Sequence, residues 1–153
     1  MKKFLSILGG LFVALVVVFA AFFGYAAYQG RHLDASSKAY VEANLPPILS
    51  TWSKDELLRR SSPQLLKIVN ERPGQIDQLF KMLSKLGAMR SLGDVKGDSN
   101  VSYTTNDGKI ITAAYVATAH FENGEARTSV RLIQSSGQWQ FLLFNVNSPL
   151  FLQ

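Results

Sequence analysis

One apolar run dominates the start of the chain. The 25 residues from Phe4 to Tyr28 carry no charge. As a helix rising about 1.5 Å per residue, this run would reach roughly 37 Å. The hydrocarbon core of a bilayer is about 30 Å thick, and a helix satisfies its own backbone hydrogen bonds there. The pattern therefore predicts that Phe4 to Tyr28 contacts the lipid bilayer and that residues 1–30 form a membrane anchor.

The charges that flank the apolar run predict its orientation. Lys2 and Lys3 precede it, whereas the charges of Arg31 and Asp34 nearly cancel after it. Basic residues are retained on the cytoplasmic side of a span. The N-terminus is therefore predicted to be cytoplasmic, and residues 31–153 to form an extracytoplasmic domain. The expected product is a single-pass inner (cytoplasmic) membrane protein whose C-terminal domain is periplasmic or extracellular.

A cleaved signal peptide is the alternative interpretation of the same run. Gly24-Tyr25-Ala26 is an acceptable small-x-small site, with cleavage after Ala26. The run is longer than the apolar region of about 7–15 residues in an ordinary signal peptide, which favours the uncleaved anchor. Both interpretations deliver the same domain across the membrane.

Helical periodicity marks the first half of the exported domain. A helix is predicted from Asp34 or Ser36 to about Asn44. Pro46-Pro47 should stop it, because proline lacks the backbone donor and clashes with the preceding turn. A short second helix is then predicted from Pro47 to Trp52.

Further helices are predicted up to about residue 89. Ser53 and Glu56 have the spacing of a capping box, in which the two side chains satisfy free N–H groups reciprocally. Ser62-Pro63 opens a short helix to about Asn70. The clearest helix is predicted over Gln75 to Met89, because apolar residues recur there at i, i+3, i+4 and i+7. These residues are Ile76, Leu79, Phe80, Leu83 and Leu86.

Strand patterns and turn dipeptides replace helical periodicity after Gly93. One or two strands are predicted within Val95 to Tyr103, followed by longer ones. The longer strands are Lys109 to Phe121, Glu125 to Gln134 and Gln138 to Asn147, and the turns lie at Asn106-Asp107-Gly108, Asn123-Gly124 and Ser136-Gly137. A type I′ turn is predicted at Asn123-Gly124. Helices followed by a meander of about four antiparallel strands make an α+β domain.

The last predicted strand is apolar on both faces. Trp139, Phe141 and Leu143 should face one way. Leu142, Phe144 and Val146 should face the other way. Such a strand is expected to be central or covered.

This arrangement resembles the NTF2-like (cystatin-like α+β) superfamily. The likeness is carried by Leu45 to Ile48, by Trp52 to Leu57, and by the hairpins around Asn123-Gly124 and Ser136-Gly137. It implies helices packed on a curved antiparallel sheet, here behind one transmembrane helix. The layout is also similar to membrane-anchored bacterial domains of unknown function. Because the resemblance is architectural, it transfers no functional residue.

Composition removes several classes of function. The chain has no cysteine, which excludes disulfides and thiol chemistry. Its net charge is +5, but acidic and basic residues alternate between Lys54 and Lys96, as on a solvated helix face. No nucleic-acid partner is predicted. His32 and His120 lie far apart in the sequence and no nucleotide or hydrolase motif occurs, so no metal, cofactor or catalytic residue is predicted.

Two sets of residues are candidates for binding. Enzymes of the resembled fold place a carboxylate and tyrosines inside the cone of the sheet, which makes Asp94, Tyr103, Tyr115 and Trp139 the ligand-pocket candidates. The small residues that alternate with Tyr115 could leave space beneath the helices or allow a helix to pack closely. These residues are Ala113, Ala117 and Ala119. Arg127 and Arg131, which flank Ser129 on one strand face, are the candidates for a protein-partner surface.

Three functions are compatible with these residues. The first is a membrane-tethered interaction domain that acts as a small subunit or assembly factor of an envelope complex. The second is a module that binds a small apolar ligand inside the cone, which requires an open interior. The third is an isomerase- or hydratase-like enzyme, which requires a buried carboxylate such as Asp94.

Overall fold

The computed structural model describes residues 2–152 and divides the chain into two compact units, Met1–Leu33 and Asp34–Gln153. The first unit is helical and belongs to helix α1, which spans Lys2–Thr51. Within the described residues, one helix is long and apolar enough to cross a membrane, as judged by length and composition. The large hydrophobic side chains described between Phe12 and Tyr25 are exposed, as lipid contact requires.

Helix α1 does not stop at its two prolines. It continues through Pro46 and Pro47 to Thr51, so the predicted break near Asn44 and the separate helix from Pro47 are wrong. The side chains around the prolines are fully buried; they are Val41, Leu45, Ile48 and Leu49. Burying one such side chain contributes about 1.5–3 kcal/mol, so the four together match or exceed the roughly 3 kcal/mol that each of the two internal prolines costs.

Helix α2 (Lys54–Arg59) begins after Ser53, but Ser53 makes no side-chain capping bond. The predicted capping box is therefore wrong. Glu56 is directed away from Ser53 because its carboxylate binds Arg59 and Arg60. The hydrogen bond from Arg60 lowers the pKa of the Glu56 carboxyl. An ion pair within the helix has replaced the cap.

Helix α3 (Pro63–Glu71) starts as predicted, because Ser62 Oγ accepts a hydrogen bond from the backbone of Leu65 at 3.2 Å. Helix α4 (Pro73–Leu83) is shorter than predicted. It passes into a 3₁₀ turn, Ser84–Leu86, and Gly87 at φ +81° ends the helical stretch. The following residues form a strand that the sequence did not predict.

Five strands form one antiparallel sheet, where about four were predicted. They are β1 (Met89–Leu92), β2 (Lys96–Thr104), β3 (Gly108–Phe121), β4 (Gly124–Ser135) and β5 (Gln138–Asn147). β1 and β2 pair with successive parts of the same edge of β3, and β4 and β5 follow on the other side. β1 and β2 therefore act as one interrupted edge strand, and a short 3₁₀ turn (Pro149–Leu152) follows β5.

The first long hairpin turns differently from the prediction. Phe121 pairs with Gly124, so the turn consists of Glu122 and Asn123, and neither has the positive φ of a type I′ turn. The preceding 3₁₀ turn holds this hairpin instead. Asn123 donates hydrogen bonds from its backbone to Leu86 O and from its side chain to Lys85 O, at 3.0 and 2.8 Å. Positive φ at both turn residues occurs in the β4–β5 hairpin, at Ser136 and Gly137.

A bulge in β5 changes which of its side chains face the helices. Leu132 pairs with Phe141 and Arg131 with Leu143, so Leu142 is an extra residue. The prediction that Leu143 shares a face with Phe141 is therefore wrong. β5 also lies at the edge of the sheet rather than in its centre. Backbone hydrogen bonds of 2.8 Å from Phe141 to Arg60 O and from Ser62 to Phe141 O cover that edge locally.

The two faces of the sheet have different surroundings. We call the face that carries the helices the inner face. Its aromatic rings contact three rings in or directly after the helices, in the pairs Tyr40–Phe141, Trp52–Phe121 and Phe80–Phe144. The opposite, outer face is formed by the alternate residues, whose side chains are exposed or half-buried. Those of β3 and β4 include Ala114, Val116, Thr118, Arg127, Ser129 and Arg131.

Candidate functional site

Two of the predicted pocket residues fasten helix α1 to the inner face. Tyr115 is buried, and its hydroxyl lies 2.7 Å from Ser37 Oγ and donates to Asp34 O at 3.0 Å. Burial raises the pKa of Tyr115, because the phenolate would lose its hydration. The indole of Trp139 donates to Ser36 Oγ at 3.1 Å. Both polar groups are thus used in holding the helix against the sheet.

The alanines of β3 lie beneath the helices as well. Ala113, Ala117 and Ala119 are buried next to Tyr115. These alanines were expected either to leave space beneath the helices or to let a helix pack closely. Their burial favours close packing of a helix. Around Tyr115, the inner face is packed with side chains where a ligand was expected.

Tyr103 is separated from the other pocket candidates. It lies near the end of β2, and 76% of its surface is exposed. Its neighbours along the strand are exposed too, as far as the turn into β3. The four predicted pocket residues therefore do not share one site. Tyr115 and Trp139 are buried and bind helix α1, Tyr103 is exposed, and Asp94 lies elsewhere.

Asp94 lies in the gap between β1 and β2, where it meets one of the predicted partner-surface residues. A concave pocket of about 650 Å³ is lined there by Asp94, Lys96, Gly97, Val116, Ala117, Thr118 and Arg127. The pocket opens on the outer face, because Val116 and Thr118 point away from the helices. Asp94, a ligand-pocket candidate, and Arg127, a partner-surface candidate, thus lie in one site.

Glycines build the wall of this pocket. A Cβ at Gly93 would lie 2.7 Å from Thr118 O, and a Cβ at Gly97 would lie 1.9 Å from Ala114 O. Only glycine therefore lets the segment 93–97 pass so close to β3. Gly93 donates to Thr118 O at 2.8 Å, which fixes the gap in the edge strand. The sequence signal for this site is the pair of glycines that brackets Asp94 and Lys96, from which no site was predicted.

The charged groups of the pocket are free to bind. In the described part of the chain, no ion pair joins Asp94, Lys96 or Arg127 to another residue. Lys96 and Arg127 can bind an anionic group, and Asp94 can bind a cationic one. Gly97 and Thr118 leave backbone and hydroxyl groups beside them. Arg131 extends the same face along β4, two residues beyond Ser129.

A second cleft lies between the helices and the end of β5. It measures about 190 Å³ and is lined mainly by apolar side chains, including Leu57, Leu65, Ile68, Ile76, Leu79 and Phe144. Helix α3 buries none of its residues, although half of its first eight are apolar. The volume is below the roughly 300–1,000 Å³ of ordinary ligand sites. This cleft has room for one apolar side chain rather than for a cofactor.

Neither a metal centre nor a desolvated acid is found among the described residues. No group of three His, Asp or Glu side chains there could hold a metal ion. The carboxylates, which all lie between residues 34 and 125, are exposed or half-buried. An acid–base mechanism therefore finds no buried carboxylate in the described domain.

Comparisons with known proteins leave the family open. No protein-family model, no curated protein and no solved structure matches this chain. The resemblance to the NTF2-like superfamily thus rests on the sequence pattern alone.

Proposed function

We propose that this chain is a membrane-tethered interaction domain. Its N-terminal helix would cross the inner (cytoplasmic) membrane with Lys2 and Lys3 in the cytoplasm. Its α+β domain, of NTF2-like type, would then be held in the periplasm or the extracellular space. There it would serve as a small subunit or assembly factor of an envelope complex. Support for the tether comes from the length and apolar composition of α1 and from the charges that flank it.

The outer face of the sheet carries this proposal. Its pocket presents the unpaired charges of Asp94, Lys96 and Arg127 on a floor of β3 side chains. Unpaired charges around a concave, half-apolar floor suit complementary charges on a protein partner. The partner would lay an exposed segment across β3 and β4, with an acidic group between Lys96 and Arg127.

The two rival functions have less support. A small apolar ligand inside the cone would have to displace the buried contacts of Tyr115 with helix α1. The cleft lined by Leu57, Ile76 and Phe144, at about 190 Å³, is small for a ligand. An isomerase or hydratase would need a desolvated carboxylate, and Asp94 is exposed.

The tether and its orientation can be tested with single cysteines, because the natural chain has none. Asp77→Cys places a thiol on the exposed surface of α4, and Lys2→Cys places one before the apolar run. A membrane-impermeant maleimide added to intact cells should label position 77 and leave position 2 unlabelled until the membrane is opened. Labelling at position 2 alone, or recovery of the full-length chain in the soluble fraction, would contradict the proposal.

The partner surface can be tested with a photo-crosslinking amino acid at Ser129, which lies between the two arginines on the outer face. In native membranes we expect one discrete crosslinked species larger than the chain itself. The species should disappear when Arg127 and Arg131 are both replaced by Ala. A crosslinker at Lys81, exposed on α4, is the matched control and should not give this species. If the chain with the crosslinker at position 129 gives no larger species in its native membrane, the proposed partner surface is wrong.

A further inference from the structure

The two ends of the sheet differ in the side chains that their turns carry. We call the end defined by the turns 105–107 and 136–137 the tether end. Its β2–β3 hairpin is uncharged from Ser99 to Asn106 and then carries Asp107 and Lys109, and its β4–β5 turn has no charged residue. The opposite end carries Glu122 in its turn, with Glu125 and Lys85 nearby.

The polypeptide enters the domain at the tether end. Asp34, the first residue of the domain, accepts a hydrogen bond from the backbone of Ser99 in β2 at 2.8 Å. Ser36 accepts one from Trp139, close to the turn that starts β5. The side chains that receive the incoming chain therefore belong to the two hairpins that form the tether end.

The covalent chain keeps this end close to lipid once the apolar run is in a membrane. Five residues, 29–33, separate Tyr28 from Asp34. Even fully extended, that connection reaches only about 20 Å. β2 continues from Ser99 to Thr104, which adds a further reach of about 3.3 Å per residue along the strand. The tips of both hairpins are thus within reach of the bilayer surface.

The β2–β3 tip has side chains suited to the bilayer interface. Val101 and Tyr103 are its exposed large apolar residues, and both lie on the inner face, beyond the point where Asp34 binds Ser99. An exposed tyrosine loses little by leaving water if its ring enters the headgroup region and its hydroxyl stays hydrated. Lys109 pairs with Tyr103 across the hairpin and can reach a lipid phosphate.

We propose that the tether end of the sheet rests on the phospholipid bilayer that holds the apolar helix, with Tyr103 in the headgroup region. The inference rests on the proposed function, because it requires the first apolar run to lie in that membrane. It adds a second lipid contact, made by the folded domain, which would limit the domain's rotation. The outer-face pocket would then be presented at a fixed height above the membrane.

The experiment uses the full-length chain in vesicles of phosphatidylethanolamine and phosphatidylglycerol. Tyr103→Cys and Gln138→Cys place an environment-sensitive fluorophore at the two tips, and Lys85→Cys places it at the opposite end. At the tips we expect a blue-shifted emission, quenching by a nitroxide-labelled lipid, and loss of quenching by iodide. The label at position 85 should emit as in water and stay open to iodide.

Two results would refute the inference in distinguishable ways. If the chain floats with the vesicles but the labels at 103 and 138 behave like the label at 85, the domain does not rest on the bilayer and only this inference fails. If the chain does not float with the vesicles at all, the anchor fails and the proposed function fails with it.

Discussion

The inner and outer faces of the sheet are made from alternate residues of the same strands, but they use their polar groups differently. On the inner face, the hydroxyl of Tyr115 and the indole of Trp139 are bonded to helix α1. On the outer face, Arg127 has no ion-pair partner among the described residues and lines an open pocket. The contrast separates residues that hold the domain together from residues that remain available to a partner.

This contrast also shows why a residue type is a poor guide to function in this fold. Tyrosine and tryptophan were expected to line a pocket, since they combine an apolar ring with a polar tip. The same two properties suit a residue that anchors a helix on a sheet. The charged side chains, which gain nothing from burial, are on the face that is left open. Substitutions on the two faces should therefore have separable effects on stability and on binding.

The largest difference in stability is expected between two neighbours on β5. Phe141 is fully buried against Tyr40, whereas Leu143, beyond the bulge, is 48% exposed on the outer face. Phe141→Ala should lower the free energy of unfolding by about 3–5 kcal/mol, because it removes a buried ring and leaves a cavity. Leu143→Ala should lower it by about 0.5 kcal/mol. Urea unfolding followed by tryptophan fluorescence measures both, and equal losses would show that the bulge does not separate the faces.

A smaller effect is expected from the fastening of helix α1. Tyr115→Phe keeps the ring but removes the hydroxyl that contacts Ser37 and Asp34. We expect a loss of about 1–2 kcal/mol in the free energy of unfolding, because a buried hydrogen-bonded group is removed. Tyr103→Phe, on the exposed tip, is the matched control and should change stability little. If the two variants unfold at the same urea concentration, the Tyr115 hydroxyl does not fasten the helix.

Substitution of one inner-face residue should raise the free energy of unfolding rather than lower it. The hydroxyl of Thr128 is buried and has no hydrogen-bond partner among the described residues. Thr128→Val replaces it with a methyl group of similar size, so the free energy of unfolding should rise by about 1 kcal/mol. Thr118→Val, half-buried on the outer face of β3, should have no comparable effect. Destabilisation by Thr128→Val would reveal a partner for this hydroxyl.

The strands could be predicted because their signals are local. β5 has the bounds that alternation and turn residues indicate, β3 begins one residue earlier than predicted, and β4 is one residue longer at each end. The alternation also placed Arg127 and Arg131 together on one face. Each of these conclusions needs only neighbours in sequence.

The errors concern features that depend on contacts between distant residues. Pro46 is tolerated because residues around it are buried against the sheet, which no local pattern reveals. Met89 leaves the helix because it pairs with Phe121. Asp94 reaches the same pocket as Arg127 only because the edge strand is interrupted beside β3. The order of residue types along the chain does not reveal how β1 and β2 pair with β3, so it could not place Asp94 on the outer face.

The smallest expected effect is a difference in alkaline stability between the faces. Burial raises the pKa of Tyr115 above its ordinary value of 10.0, so its proton leaves more readily from the unfolded chain than from the folded one. The stability that the neutral phenol contributes is complete below about pH 10 and is lost as the pH rises through the folded-state pKa. The wild-type chain should therefore lose more unfolding free energy between pH 9 and pH 11 than Tyr115→Phe does, whereas Tyr103→Phe should follow the wild type. Parallel pH profiles for all three chains would show that the Tyr115 phenol ionises as freely in the folded domain as in water, and that the inner face is open to solvent.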